Sequence, residues 1–197
     1  MPARRTPAMT DRPLRADARR NYDRLVAEAQ VAFAEHGADT LLDDIARRAG
    51  LGVGTLYRHF PTREALLGAV VQEWTASVRT EAEMLTAQPD AAHALATWLR
   101  SLVRHMGVYR GLVAAMAASM EDSASALHPS CQVIADAGEL LVTHARRQGA
   151  IREDVSAAEV LQMVTGLVWV CEQQPSADLS RLLRLALDSL RPPPHRG

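Results

Sequence analysis

Polar side chains suited to nucleic-acid contact cluster in one short segment of the chain. Thr55 and Tyr57 carry hydroxyl groups, and Arg58 carries a guanidinium that can bind a guanine edge or a phosphate through two hydrogen bonds. Gly54 precedes them, and its missing side chain lets another backbone approach closely. These residue types at this spacing predict a surface that reads base edges and holds phosphates.

Two short helices joined by a glycine turn are expected to position this segment. In the first, from Leu42 to Ala49, apolar residues recur at helical spacing and form one buried stripe. Gly50 ends it, because glycine accepts the left-handed conformation. The second helix runs from Val53 to Phe60, with Leu56 and Phe60 assigned to the core. A helix, a turn containing glycine and a second, outward helix form a helix-turn-helix, whose second helix enters the DNA major groove.

The segment from about Asp17 to Val71 resembles the DNA-binding domain of the tetracycline-repressor (TetR) family of transcriptional regulators. The resemblance depends on a whole set of short motifs that occur in order and at the family's spacing. The matching motifs are Ala32–Gly37, Asp44–Ala46, Ala49–Leu51, Gly54–Phe60 and Thr62–Leu66. They cover roughly a quarter to a third of the chain, and the remainder is similar to the family only in being helical and of suitable length.

The resemblance implies roles for individual residues of this segment. Tyr57, His59 and Arg63 match the family's phosphate-contacting positions, while Thr55 and Arg58 can reach base edges. Partial packing of Tyr57 against the first helix is the alternative. The predicted DNA-binding residues are Thr40, Val53, Gly54, Thr55, Tyr57, Arg58, His59 and Arg63.

The chain departs from the family pattern at two places. The family usually has Ser or Thr immediately before the first helix of the motif, whereas this chain has Leu41, preceded by Thr40. In the family this Ser or Thr caps the helix and can touch a phosphate. Either the helix cap moves back to Thr40 in this chain, or that contact is lost. The family's usual Ser-Lys pair before the glycine is replaced by Gly52 and Val53. A cap and a basic base-reading group are therefore both absent, and Val53 is expected to contact a thymine methyl.

Charge is distributed unevenly along the chain, although the net charge is only −1. Residues 1–63 hold 11 Arg against 8 Asp and Glu, whereas residues 64–197 hold 11 Arg against 15 acidic residues. A basic head on an acidic body is expected when one end of a protein meets phosphates. Solvated surface arginine is the alternative reading of any single position.

The remaining composition limits the class of protein. No apolar run is long enough for a membrane span, and the arginine-rich start lacks the apolar segment of a secretory signal. Cys131 and Cys171 lie far apart, so neither a disulfide framework nor a zinc site is expected. No catalytic motif stands out. We therefore expect a cytoplasmic protein that is not an enzyme and holds no cofactor or metal.

Helical periodicity recurs throughout, and the predicted fold class is all-α. We expect a disordered basic arm at residues 1–15, which can place arginines in a minor groove or be simply disordered. A helix-turn-helix domain (16–63), a ligand-binding and dimerisation domain (64–191) and a tail (192–197) follow. The first seven predicted helices run from about Asp17 to His36, Leu42 to Ala49, Val53 to Phe60, Arg63 to Ala87, Asp90 to Gly107, Gly111 to Met120 and Ser130 to Gln148. The eighth starts between Asp154 and Ser156 and runs to about Gln173, and the ninth starts between Pro175 and Asp178 and runs to about Leu190.

The last two helices predict a homodimer. The penultimate helix is apolar around nearly its whole circumference, so it has no face suited to water. A second copy would cover the extra surface in a four-helix interface about a two-fold axis, an arrangement that is usual in the TetR family. Central packing in a monomer is the alternative. The predicted interface residues are Val160, Val164, Leu167, Val168, Leu179, Leu182, Leu183 and Leu187.

The resemblance also implies a pocket for a small apolar or amphipathic effector, enclosed by the long fourth helix and the three helices that follow. His105 and His144 are the expected polar groups in it. Packing in the core is the alternative for the tryptophans and methionines. The candidate pocket residues are Trp74, Trp98, His105, Met106, Tyr109, Met116, Met120, Cys131, His144 and Trp169.

Together these patterns predict a ligand-responsive, homodimeric regulator of transcription. It would bind a palindromic operator in double-stranded DNA and act as a repressor that a small molecule releases. One alternative is a helical small-molecule-binding protein or enzyme whose helix-turn-helix is not used. Another keeps DNA binding but has no effector, so that the helical body serves only to dimerise.

Overall fold

A computed structural model describes residues 11–174 and 176–192, and the side chains from residue 16 onward. Within these ranges every regular element is a helix, which confirms the all-α fold class. The helices are α1 (Asp11–His36), α2 (Leu42–Arg48), α3 (Val53–His59), α4 (Arg63–Leu85), α5 (Ala91–Met106), α6 (Leu112–Ser119), α7 (His128–Arg147), α8 (Ala157–Gln173) and α9 (Leu179–Ser189).

Side-chain caps fix the starts of the longer helices where the sequence predicts them. The Thr62 hydroxyl accepts a hydrogen bond from the Ala65 N–H at 3.1 Å and begins α4. Asp90 and Asp178 cap α5 and α9 in the same way. Ser156 begins α8 with a reciprocal capping box. The Ser156 hydroxyl accepts from the Glu159 N–H, and the Glu159 carboxylate accepts from the Ser156 N–H. These starts depend on local chemistry alone.

The first helix begins earlier than predicted. It starts at Asp11 instead of Asp17, so residues 11–15 are helical and do not belong to a disordered arm. Pro13 is compatible with this start, because a proline in the first turn of a helix removes an N–H that has no partner there. The rest of the predicted arm, residues 1–10, and residues 193–197 of the predicted tail lie outside the described residues.

Helices α4, α5 and α7 form the centre of the body. Trp98 of α5 is completely buried between α4 and α7, and its indole N–H donates to the Val78 carbonyl at 3.0 Å. A Cβ at Gly138 of α7 would lie 3.0 Å from Leu161 Cδ1 of α8, so the glycine lets α7 and α8 pack closely. Helix α4 also packs against α1. It therefore connects the helix-turn-helix to the body without a break.

We expect Trp98→Ala to lower the free energy of unfolding by about 3–5 kcal/mol, because it removes a large buried side chain and its hydrogen bond to the Val78 carbonyl. Urea unfolding followed by circular dichroism measures the change. Met84→Ala, an exposed apolar position on α4, is the control and should shift stability by no more than about 0.5 kcal/mol. Equal losses for the two variants would contradict this assignment of the core.

None of the helices in the described part of the chain combines the length and the hydrophobicity that crossing a bilayer requires.

Candidate nucleic-acid interface and ligand cavity

The helix-turn-helix is held together by a small apolar core and a tight turn. Ile45 of α2 and Leu56 of α3 are completely buried. Gly50 has φ +64° between the two helices, and the Leu51 N–H donates back to the Ala46 carbonyl at 2.9 Å. A residue with a side chain would be strained at that φ. The predicted turn is therefore present, and it fixes the angle at which α3 leaves α2.

Helix α1 fastens α2 from the opposite side. The Arg24 guanidinium donates to the Ala49 carbonyl at the end of α2. Arg48 donates through both terminal nitrogens to one carboxylate oxygen of Glu35, at 2.9 Å each. These contacts hold α2, and with it α3, against the first helix. The polar side chains of α1 and α2 that face each other therefore position the helix that carries the predicted base-reading residues.

The side of α3 that does not pack around the buried Leu56 is open to solvent. Val53 is 38% exposed and Tyr57 45% exposed. Gly54 and Arg58 are exposed as well, whereas Thr55 is half-buried. Arg58 has no carboxylate within ion-pair distance in the described part of the chain. The structure therefore brings most of the predicted DNA-binding residues to one accessible surface, which we call the α3 face (Val53, Gly54, Thr55, Tyr57 and Arg58).

His59 does not belong to the α3 face. Its ring is half-buried and lies 6.2 Å, edge to face, from the Tyr22 ring of α1. Tyr22 in turn lies 5.0 Å from Phe60, and the Arg19 guanidinium lies over its ring at 5.8 Å. It is therefore His59, and not Tyr57, that packs against the first helix. Nothing in the sequence marks Arg19 and Tyr22 as neighbours of the site.

Arg63 and Thr40 are turned inward. Arg63 Nη1 donates to the carbonyls of Ala38 and Thr40 at 2.6 Å each. The Thr40 hydroxyl donates to the Gly37 carbonyl at 2.7 Å, and Leu41 begins α2 without any side-chain cap. The helix cap has therefore not moved back to Thr40, and α2 begins without the side-chain cap that is usual in the family. Both residues shape the turn between α1 and α2 in this structure, and neither side chain faces outward.

The same turn contacts the helical body. The Ala38 N–H donates to the Arg110 carbonyl at 2.7 Å, just before α6. The next residue, Gly111, directs its N–H at both carboxylate oxygens of Glu172 at 3.3 Å. Gly37 lies so close that a side chain there would approach the Arg110 carbonyl to 3.0 Å. A short chain of hydrogen bonds therefore joins the helix-turn-helix, the start of α6 and the end of α8.

We expect Glu172→Gln to raise the stability of the protein at neutral pH and to change it little near pH 4. Burial raises the pKa of the Glu172 carboxyl, against the opposing effects of the Gly111 hydrogen bond and the Arg110 charge. A raised folded-state pKa means that the stability contribution is present at low pH and is lost as pH rises from about 4 through the folded value. Glutamine stays neutral and keeps an oxygen for the Gly111 N–H.

Thermal unfolding of wild type and of this variant between about pH 4 and pH 8 measures the effect. A stability difference that is independent of pH would contradict the raised pKa of Glu172.

A cavity of about 670 Å³ opens between α6, α7, α8 and the end of α5. Its size is in the range of sites for drug-sized ligands. Helix α4, which was predicted to enclose the pocket, contributes no residue to the lining. The lining residues are Met106, Met116, Ala117, Met120, Glu121, Cys131, Ile134, Ala135, Asp136, Glu139, Ala157, Ala158, Leu161, Gln162 and Thr165.

Four of the predicted pocket residues line this cavity: Met106, Met116, Met120 and Cys131. Cys131 is buried, and its thiol donates to the Met116 carbonyl at 3.5 Å. Burial raises the pKa of the Cys131 thiol, so it stays uncharged at neutral pH. Together with the buried side chains of Met106 and Met116, this uncharged thiol makes the inner wall of the cavity apolar.

The other six predicted pocket residues lie elsewhere. Trp98 fills the core, and Trp74 stacks on His105 with the ring centres 5.7 Å apart. Trp169 is 48% exposed on α8. The rings of Trp74 and Trp98 fill space instead of lining this cavity. The residues that do not line the cavity are Trp74, Trp98, His105, Tyr109, His144 and Trp169.

The predicted interface residues divide into two groups. Val160, Val164, Val168 and Leu183 are buried against their own chain, so they offer no surface to a partner. The half-buried residues are Leu167, Leu179, Leu182 and Leu187.

The most exposed apolar side chains of α8 and α9 are Trp169, at 48%, and Leu185, at 59%. Neither of them is among the interface residues predicted from the sequence. Gly166 lies beside Trp169, and a side chain added there would meet nothing within 4 Å. We call Gly166, Trp169, Leu182 and Leu185 the outward α8/α9 face.

Profiles of known protein families match both the helix-turn-helix and the helical body that follows it. A family profile described as bacterial regulatory proteins of the tetR family matches residues 25–70, which include α2 and α3. A second profile, described as the C-terminal domain of SbtR-like transcriptional regulators, matches residues 90–192, just over half of the chain. The chain belongs to the TetR family of transcriptional regulators.

Individual TetR-family relatives agree with this assignment. A TetR transcriptional regulator from Streptomyces coelicolor is 34% identical, covering 87% of this chain and 98% of that one, with a TM-score of 0.60. A TetR regulator from Mycobacterium vanbaalenii is 33% identical over 91% and 100% of the two chains, with a TM-score of 0.55. A Staphylococcus aureus HTH-type transcriptional regulator is 38% identical over 60 residues, which are 30% of this chain and 32% of that protein.

Membership of the TetR family confirms the resemblance seen in the sequence. The chain matches about a third of the length of the curated staphylococcal relative. The matched profiles and relatives are transcriptional regulators, not enzymes. The Ala38–Arg110 contact could not be predicted, because nothing in the sequence indicates which loop of the body meets the turn after α1.

Proposed function

We propose that this chain is a homodimeric repressor that binds a near-palindromic operator and is released from it by a small molecule. The exposure of the α3 face, on a helix fixed from behind by α1 and α2, is the observation that carries the proposal. Helix α3 is anchored by Leu56, while Tyr57 and Arg58 on its far side are open to solvent. A rigid short helix with a solvated polar side is what insertion into a major groove requires.

The proposed contacts differ from residue to residue. Tyr57 and Arg58 bind phosphates or a guanine edge, and Thr55 reaches a base edge through its hydroxyl or methyl group. Val53 contacts a thymine methyl, and Gly54 allows close approach of the DNA backbone. Arg63 and Thr40 act as positioning residues, because their polar groups hold the turn after α1.

The outward α8/α9 face is the proposed dimer contact. Trp169 and Leu185 are large apolar side chains on the solvent side of two adjacent helices. Two copies joined there form a four-helix interface about a two-fold axis. The two α3 helices then sit about 34–36 Å apart, one turn of DNA, on a symmetric operator.

The cavity beside α6 is the proposed effector site. Met116 and Met120 of α6 line the cavity, and the same helix begins beside Gly111, next to the contact between Arg110 and Ala38. A ligand that shifts α6 therefore moves the turn that Arg63 holds. A coupling of about 1–3 kcal/mol would weaken DNA affinity about 5- to 150-fold.

Relatives of the same fold support an effector and a repressor role. Thermus thermophilus FadR, a TetR-family repressor, has been solved in complex with lauroyl-CoA, at 21% identity and a TM-score of 0.64. RolR has been solved with resorcinol, at 24% identity and a TM-score of 0.59. SmeT, at 25% identity and a TM-score of 0.61, is the repressor of a multidrug efflux pump of Stenotrophomonas maltophilia.

Selection from a pool of random DNA duplexes tests the proposal. The full-length protein should enrich one sequence with two-fold symmetry, and its affinity should fall steeply between 50 and 200 mM salt because phosphate contacts release counterions, by about 10³-fold or more for six phosphate contacts. Enrichment of no sequence, together with binding that does not depend on salt, would favour a helical binding protein whose helix-turn-helix is unused.

A further inference from the structure

The cavity between α6, α7 and α8 has an apolar inner wall. Sulfur-containing and aliphatic side chains make up most of it, with Met106, Met116 and Cys131 buried or nearly so. The space is left open by four small residues, Ala117, Ala135, Ala157 and Ala158. Methionine adapts its shape to flexible chains. The inner part of the cavity therefore fits an aliphatic tail.

The charged residues of the cavity are all acidic. Glu121, Asp136 and Glu139 lie in its lining, to which the described part of the chain contributes no arginine and no histidine. Gln162 and Thr165 add uncharged polar groups from α8. An anion placed here would meet only like charges, which disfavour it. The chemistry of the lining therefore opposes a carboxylate or a phosphorylated ligand such as an acyl-CoA.

Two of the three carboxylates are available to a ligand. Glu139 is already engaged, because it accepts hydrogen bonds from the Thr143 hydroxyl at 2.7 Å and from Arg146 at 3.2 Å. Asp136 and Glu121 make no hydrogen bond or ion pair with any other residue that the structure describes. One of them lies on α7 and the other directly after α6. They flank the cavity from two sides.

The type of cation follows from what the lining lacks. Quaternary ammonium groups are bound by aromatic rings through cation–π contacts, and no Phe, Tyr or Trp lines this cavity. Carboxylates instead accept N–H hydrogen bonds, which are strongest when both groups are charged. A primary or secondary ammonium supplies those donors, whereas a quaternary ammonium has none.

We propose that the cavity binds a protonated aliphatic amine. Its ammonium group donates hydrogen bonds to Asp136 and Glu121, and its tail lies along Met106, Met116 and Cys131. The inference rests on the proposed function in one respect, that this cavity is the effector site. It goes further in assigning the chemical class of the effector.

Four probes that share a ten-carbon chain test the charge preference: decylamine, decyltrimethylammonium, 1-decanol and decanoate. Calorimetric titration of the full-length dimer at neutral pH gives the dissociation constants. Decylamine should bind about tenfold more tightly than decanol, as expected for one charge-assisted hydrogen bond that is open to solvent. Decyltrimethylammonium, which has no N–H to donate, should bind more weakly than decylamine, and decanoate should bind more weakly than decanol.

The double variant Asp136→Asn/Glu121→Gln tests the residues. It should lose the tenfold preference for decylamine while it binds decanol as the wild type does, which shows that the cavity is still folded. Glu153→Gln removes an exposed carboxylate outside the cavity and is the matched control. It should keep the full preference.

The outcomes separate this inference from the proposed function. Decanol that binds as tightly as decylamine, tighter binding of decanoate, or a preference that survives in the double variant would overturn the amine assignment and leave the effector cavity standing. Failure of all four probes to bind would overturn the cavity as a ligand site and the amine assignment with it. Operator binding, measured separately, is affected by none of these results.

Discussion

Replacing Tyr57 and Arg58 together by alanine is expected to weaken operator binding by at least about 100-fold, because each protomer loses two hydrogen bonds to charged DNA groups worth about 1.5–3 kcal/mol each. Both side chains are exposed on the α3 face, and neither contributes to the core around Leu56. The fold and the dimer should therefore be unchanged. Fluorescence anisotropy with the selected duplex measures the affinity, and sedimentation measures the dimer.

The matched control for that variant is Arg147→Ala. Arg147 is an exposed arginine at the end of α7, so its removal changes the net charge as the loss of Arg58 does. It should leave operator affinity within about twofold, because it lies far from the duplex in the proposed arrangement. Equal losses of affinity in the two variants would mean that only the overall charge, and not the α3 face, binds DNA.

A second large effect is expected at the outward α8/α9 face. Trp169→Glu/Leu185→Glu places four charges in the proposed dimer contact, since each change occurs in both copies. Desolvating unpaired carboxylates costs several kcal/mol, so the variant should sediment as a monomer. Operator affinity should then fall by about 10²- to 10⁴-fold, because two linked recognition helices bind with an avidity that a single one lacks.

Met84→Glu is the control for this variant, because Met84 is an exposed apolar residue on α4, outside the outward face. It should remain dimeric and bind the operator normally. A dimer that persists in the Trp169/Leu185 variant would contradict the proposed interface and require another surface to join the two copies.

The sequence predicts well those features that depend on neighbouring residues. The caps at Thr62, Asp90 and Ser156 need only side chains within one helical turn of each helix start. The turn at Gly50 needs only a residue that tolerates a positive φ. Because these signals are local, the helix-turn-helix and its exposed face could be predicted from the residues alone.

Features that depend on distant packing could not be predicted in this way. The apolar stripe of α8 shows that the helix is buried, but not which side meets its own chain. Val160, Val164 and Val168 are covered by the protomer, whereas Trp169 is exposed. From the sequence, Arg63 is likewise expected to contact a phosphate. In the folded chain its guanidinium donates instead to carbonyls of the turn after α1.

The ligand cavity shows a related difficulty. Tryptophans and histidines are conspicuous in a sequence, and they were chosen as pocket residues, but Trp98 and Trp74 occupy space in the core or beside it. The cavity exists where side chains are small, at Ala117, Ala157 and Ala158. An alanine carries no chemical signal in the sequence, because its role here is to leave volume for another molecule.

Footprinting on the selected operator tests the central claim most directly. Wild-type protein should protect two major-groove patches on one side of the duplex, about 10–10.5 base pairs apart from centre to centre, and Tyr57→Ala/Arg58→Ala should abolish both. A single protected patch, patches whose spacing does not match one DNA turn, or a footprint that the variant leaves unchanged would show that paired α3 faces do not read this DNA.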